Sequence, residues 1–135
     1  MTVVVDASVA ARWFLRLEKS ETAATLLQSG ERLIAPDLVV VEATNAAWKA
    51  AVFGNIPPET VTDFVENCAR LFSELVPAAD LKDRALEIAL SLKHPAYDCF
   101  YLALAEQREC KLVTADERLQ SRCRKTPFAK LVQAL

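Results

Sequence analysis

Glycine and histidine are scarce in this chain: its 135 residues include two glycines, Gly30 and Gly54, and one histidine, His94. So few glycines, beside six prolines, argue against a many-turned all-β sandwich. A single imidazole excludes a zinc site built on paired histidines. The four cysteines, Cys68, Cys99, Cys110 and Cys123, show no C-x-x-C spacing and each falls in a stretch expected to be helical. They read as reduced thiols of a cytoplasmic protein. The opening Met-Thr-Val-Val-Val-Asp has neither the basic stretch nor the long apolar run of a secretory signal. No apolar run approaches the roughly 20 residues that span a bilayer, so no membrane partner is expected. Basic residues are not in excess: 16 against 18 acidic gives a net charge of −2. No general cationic coat is on offer to nucleic acid.

Hydrophobic residues make up 53% of the chain and charged residues 25%, which excludes intrinsic disorder. The length suits one domain over residues 1–135, not two independent cores. The apolar share is high for that size and points to further surface covered by a partner.

Short apolar runs alternate with helical patterns along the chain. Thr2–Val5 is β-branched and reads as a buried strand ending at Asp6. Helical patterning follows over Ala7–Leu15 and Glu18–Gln28, closed by Gly30. Leu33–Ala35 reads as a second strand stopped by Pro36, and Asp37 as the N-cap of a helix running to about Phe53 and Gly54. Pro57-Pro58 opens a helix with Val61, Phe64, Val65, Cys68, Leu71 and Phe72 at helical spacing. Leu75–Val76 is a weak third strand, Asp80–Lys93 an amphipathic helix, and Pro95 precedes a helix over Ala96–Glu109. Leu112–Thr114, then a helix over Asp116–Lys125, then Leu131–Val132 complete the pattern. Strands alternating with helices imply a parallel sheet covered on both faces. Ligands of such sheets sit beyond the carboxyl ends of the strands.

Four acids occur at element starts or at the edges of helices expected to be buried, two of them just after strands. Asp6 follows the first strand and is either an N-cap, a role Ser8 could also fill, or a free carboxylate at the strand end. Glu42 follows Leu38–Val41, four successive apolar residues expected to form a turn buried on all sides. With Asn45 and Lys49 at i+3 and i+7 it forms either a solvent-facing stripe or the wall of a polar cleft. Asp98 lies in a first helical turn, where backbone N–H groups favour an anion, yet also beside the seven-residue apolar run Cys99–Ala105. Asp116, two residues after Thr114, is an N-cap or a second strand-end acid. Carboxylates gathered in one cleft repel each other unless a cation neutralises them. An all-oxygen set favours Mg²⁺ or Mn²⁺ over zinc.

These residues resemble the PIN-domain ribonucleases, in particular the VapC-type toxins of toxin–antitoxin pairs. The resemblance runs through Val3-Val4-Val5-Asp6-Ala7-Ser8, Pro36-Asp37-Leu38 to Glu42 and Asn45, Tyr97-Asp98 with Tyr101-Leu102-Ala103-Leu104-Ala105, and Leu112-Val113-Thr114-Ala115-Asp116. It implies an α/β, three-layer fold with a parallel sheet of four to five strands in the order 3-2-1-4-5, flanked by helices. It implies Asp6, Glu42, Asp98 and Asp116 around one or two Mg²⁺ or Mn²⁺ ions, with Asp116 the least constant of the four. It further implies an endoribonuclease that hydrolyses RNA by metal-activated water, leaving 5′-phosphate and 3′-hydroxyl ends. The usual state is a homodimer held inactive by a cognate antitoxin.

Ser8 and Thr114 are expected to orient carboxylates or simply to cap helices, and Asn45 to bond Glu42 or substrate. Arg118, Arg122, Arg124, Lys125 and Lys130 run without an intervening acid. They form either a phosphate-contacting patch or an ordinary solvated face, and Arg12 with Arg16 carries the same two readings. His94, before Pro95, is expected to be structural or exposed, with no catalytic part. Trp13, Phe14, Trp48 and Phe53 read as core, or as a surface for a dimer or antitoxin partner. Aspartyl phosphatases need a second Asp where Ser8 stands, and phosphoreceiver domains need an acidic pair before the strand-end Asp; both are excluded. A non-catalytic PIN-like module that binds protein or RNA stays open.

Overall fold

A computed structural model describes residues 1–135. Three successive valines make Thr2–Val5 (β1) a strand, because their branched side chains restrict χ1 and fit a pleated surface. β1 pairs in parallel with β2 (Arg32–Pro36) on one side and β4 (Lys111–Thr114) on the other, with Val4 opposite both Ile34 and Leu112. β3 (Glu74–Val76) and β5 (Val132–Ala134) complete a five-stranded, all-parallel sheet in the order β3-β2-β1-β4-β5. The expected α/β class and 3-2-1-4-5 order are both present. β1 is the central strand, so its carboxyl end opens at the middle of the sheet edge where ligands bind.

Seven helices flank the sheet: α1 (Ala7–Ala11), α2 (Ser20–Leu27), α3 (Leu38–Gly54), α4 (Pro58–Cys68), α5 (Lys82–Leu92), α6 (Ala96–Gln107) and α7 (Glu117–Cys123). α6 lies on β1, β2 and β4 and packs along α5. Its apolar run is buried as expected, with Leu102, Leu104 and Ala105 wholly inaccessible and Phe100 only partly covered. Each such leucine contributes about 1.5–3 kcal/mol of burial. α3 and α4 form a hairpin beside α1. No helix is long and apolar enough to cross a membrane.

Several sequence expectations are corrected. The Leu38–Val41 turn is not buried on all sides: Val39 is inaccessible, but Val41 is 65% exposed. A helix lying on a sheet covers only one stripe, whatever the polarity of the rest. Asp37 stands at the cap position of α3 but caps nothing; its Oδ1 accepts from Ala78 N at 2.9 Å, tying the chain after β3 to the start of α3. α1 ends at Ala11, four residues early, as Trp13 and Phe14 N–H groups turn to the carbonyls three residues back. Cys110 precedes β4 outside any helix. Trp48 and Phe53 are 54% and 73% exposed and meet edge to face at 5.6 Å on the outer side of α3, not in the core.

Candidate active site

Asp6 begins where β1 ends, and α1 starts at once, so its carboxylate is held in the crook of a strand-to-helix turn. Oδ1 accepts from Ser8 N at 3.1 Å, Val9 N at 3.3 Å and Ser8 Oγ at 2.5 Å. Oδ2 accepts from the hydroxyl of Thr114, at the end of the neighbouring strand β4. Both hydroxyls are themselves oriented by backbone donors: Ala115 N donates to Ser8 Oγ at 3.1 Å, and Asp116 N to Thr114 Oγ1 at 3.0 Å. Asp6 is therefore a cap and a braced strand-end acid together, at 5% exposure.

Glu42, half-buried on α3, faces α6, where Tyr101 Oη donates to Glu42 Oε1 at 2.5 Å. Asp98, in the first turn of α6, meets His94 Nε2 through Oδ2 at 2.5 Å. Of the two readings for His94, structural or exposed, the structure has the first: its side chain is 8% accessible and turned onto the acid four residues on. Sequence reasoning missed Tyr101 and His94 as partners of the acids. The i,i+4 spacing of His94 and Asp98 was the available signal.

Asp116 stands apart from these. It follows β4 beside Thr114, but its Oδ1 caps α7 through Arg118 N at 2.9 Å and Leu119 N at 3.3 Å. Asn45 and Lys49 line the same cleft as Glu42, with Ser8 and Tyr97. Arg118 and Arg122 line a second cleft of about 420 Å³ with His94, Pro95 and Ser121 and no hydrophobic side chain. Arg12 is largely committed to the backbone, donating to Ser8 O at 2.6 Å and Glu18 O at 2.8 Å. Lys125 lies beyond α7, exposed, in a left-handed conformation with φ 66°.

Burial is the main cause that drives the Asp6 carboxyl up to about 6; its hydrogen bonds oppose the rise and the Asp98 charge adds to it. Glu42 is likewise raised, first by burial and then by the charges of Asp98 and Asp6, against the bond from Tyr101. Burial first, and then the charges of Glu42, Asp6 and Asp98 with the bond to Glu42, hold the Tyr101 hydroxyl protonated and hence a donor. Asp6, Glu42 and Asp98 thus lie within one another's fields at a poorly hydrated strand edge. No three Asp, Glu, His or Cys side chains converge as a ready ligand group, because each acid leans toward a protein donor. The donor chemistry nevertheless fits a hard divalent cation: the oxygens are anionic, and their repulsion is what a cation would relieve.

A central parallel strand ending in a braced aspartate, with acids from two helices facing it, defines a PIN-class α/β domain. The PIN domain family model matches residues 3–125. The ribonuclease VapC3 of Pyrobaculum aerophilum is 36% identical over 124 residues, covering 88% of this chain and 92% of its own. The ribonuclease VapC9 of Mycobacterium tuberculosis is 35% identical over 117 residues, 87% of either chain. Among solved structures, the crystal structure of PAE2754 from P. aerophilum superposes with a TM-score of 0.71 at 24% identity, covering 93% of this chain and 90% of the other. VapBC2 from Rickettsia felis, solved with a DNA fragment from its promoter, also gives 0.71, at 12% identity over 100% of this chain and 99% of the other. This chain belongs to the PIN-domain family, among its VapC-type members.

Proposed function

We propose that this protein is a Mg²⁺- or Mn²⁺-dependent endoribonuclease toxin, with an antitoxin protein as its inhibitor and a second copy of itself as a partner. One observation carries the reading: Asp6, buried, and Glu42 and Asp98, half-buried, come from three separate elements and act on one another's charge, with no basic side chain bonded to any of them except His94 at Asp98. A purely structural role would leave that repulsion uncompensated. The ribonuclease names of the relatives support the substrate class, and the exposed Trp48, Val52 and Phe53 on α3 supply apolar surface for a protein partner.

Asp6, Glu42 and Asp98 would hold the cation, with Asp116 assisting. Bound there, it would supply a water of lowered pKa and positive charge opposite the phosphate. The chain's own part is positional. Ser8 and Thr114 fix the Asp6 carboxylate, Tyr101 holds Glu42, and His94 holds Asp98, so that little reorganisation is needed when substrate arrives. Arg118 and Arg122 meet flanking phosphates.

The test is incubation of purified, antitoxin-free protein with a panel of structured RNAs in Mg²⁺, Mn²⁺ or chelator, with the ends mapped. Metal-dependent cuts leaving 5′-phosphates support the proposal. RNA binding without cleavage in any metal would instead identify a non-catalytic PIN-like module.

A further inference from the structure

Tyr97 is 65% exposed although it stands at the start of the most deeply buried helix, one turn before the inaccessible Tyr101. Residues four apart share a helix face, so both tyrosines look toward α3. Tyr101 reaches Glu42 beneath, while Tyr97 forms the lip of a cleft of about 650 Å³ whose facing wall holds Leu38, Val41, Asn45 and Lys49. Val41, 65% exposed, is the apolar residue sequence reasoning expected to be buried. The cleft therefore offers an aromatic ring and a branched aliphatic side chain as walls, an amide and an ammonium at the rim, and Glu42 at its floor.

We infer that this cleft is a nucleobase subsite, in which Tyr97 stacks on a base adjoining the scissile phosphate of a single RNA strand. The inference rests on the ribonuclease reading and adds to it which part of the substrate is gripped. A base has two apolar faces and polar edges, matching Tyr97 and Val41 on the faces and the Asn45 carboxamide on an edge. Lys49, lining the same cleft, supplies a cation for that nucleotide's phosphate. The other cleft is lined by His94, Pro95, Arg118, Ser121 and Arg122; its one aromatic ring, the His94 imidazole, is 8% accessible and committed to Asp98, which leaves the two guanidinium groups to meet phosphates. The acids thus lie between a surface suited to a base and a surface suited to phosphates.

The experiment has two readouts. In the cleavage-silenced Asp6→Asn protein, 2-aminopurine placed at each position of a short single-stranded RNA reports stacking by quenching. Quenching at one position, kept in Tyr97→Phe and lost in Tyr97→Ala, is expected. In the otherwise unaltered protein, Tyr97→Ala should lower kcat/KM by about 5- to 150-fold. On RNA made abasic at the quenched position, the same substitution should have no further effect. An equal loss on intact and abasic RNA would overturn the inference, since it would mark a structural role. So would cleavage with no quenching anywhere and no effect of Tyr97→Ala, which leaves the ribonuclease reading intact. Quenching that depends on Tyr97 in a protein that cuts no RNA would uphold the subsite and remove the nuclease. A Tyr97→Ala substitution that alters only the binding of a protein partner would assign the cleft to protein and overturn the inference.

Discussion

The Tyr101 hydroxyl donates to Glu42 at 2.5 Å, joining α6 to α3 across 59 residues of sequence. Tyr101 is 1% exposed, so its hydroxyl has no water to turn to, and Glu42 is its partner. Tyr101→Phe keeps the ring and removes only the donor. It should cost about 1.5–3 kcal/mol of stability, the range for a bond to a charged group. Glu42, raised already, should rise further. RNA cleavage should require more divalent cation at a given rate. Chemical denaturation together with a metal titration of activity measures both, and an unchanged metal requirement would separate Tyr101 from the site.

Asp6→Asn should abolish cleavage and leave the metal-free protein as stable as before or more so. The wild-type carboxylate is held ionised at neutral pH although its pKa is about 6 rather than 3.8, a cost of about 3 kcal/mol at most. The amide oxygen can still accept from the Ser8 and Val9 N–H groups. Loss of the bond from Thr114 offsets part of the gain. Thermal melts in chelator decide: marked unfolding of Asp6→Asn would make Asp6 a structural cap alone.

The metal-free protein should become more stable as pH falls from about 7 to about 5. Asp6 binds its proton near 6 when folded and near 3.8 when unfolded, so between those values the native state holds more protons and stability falls as pH rises. Glu42 acts in the same sense. Glu74, held down to about 2 by Arg108 and Arg32, acts oppositely and lower: its contribution is present above the unfolded value of about 4.5 and fades as pH falls toward 2. Melting temperature against pH in chelator should therefore peak on the acid side of neutrality. The Asp6→Asn profile should be flatter, and a flat wild-type profile would contradict the raised carboxyls.

His94→Ala should weaken cation-dependent cleavage by about 10- to 100-fold, the usual effect of removing a partner that orients a ligand. His94→Gln, which can still donate to Asp98, should recover part of it. The readout that isolates this role is the cation concentration for half-maximal rate, which should rise while the RNA affinity measured in chelator stays the same.

Arg118→Ala with Arg122→Ala should weaken binding to all RNA sequences alike. Each lost phosphate contact to a single strand reduces the salt slope by about 0.7, so the pair should reduce it by about 1.4. An unchanged slope would make the second cleft an ordinary solvated face.

The strand-end acids were legible because a parallel sheet sends its chemistry to the carboxyl ends of the strands, and Thr2–Val5 and Leu112–Thr114 are short, β-branched runs with an Asp just beyond. α6 was legible because Cys99–Ala105 carries no charge around its whole girth. Other features depend on tertiary neighbours. Nothing in Leu38–Val41 tells which side of the helix meets the sheet, so Val41 could not be placed in the cleft by pattern. Asp37 has the residue type and position of a cap, but Ala78 N, supplied from 41 residues away, wins its carboxylate. Asp116 has the family's position for a ligand, yet locally it satisfies the first N–H groups of α7.

The place of β1 in the sheet has a consequence for synthesis. The first strand made waits longest for its second neighbour: Val4 meets Leu112, and Asp6 a hydroxyl, 108 residues further on. At ~5–20 residues per second, that interval is about 5–20 s on the ribosome. A nascent chain therefore lacks the Tyr101 bond to Glu42 and the Thr114 bond to Asp6 until most of the polypeptide has emerged, so the site is completed only late in synthesis.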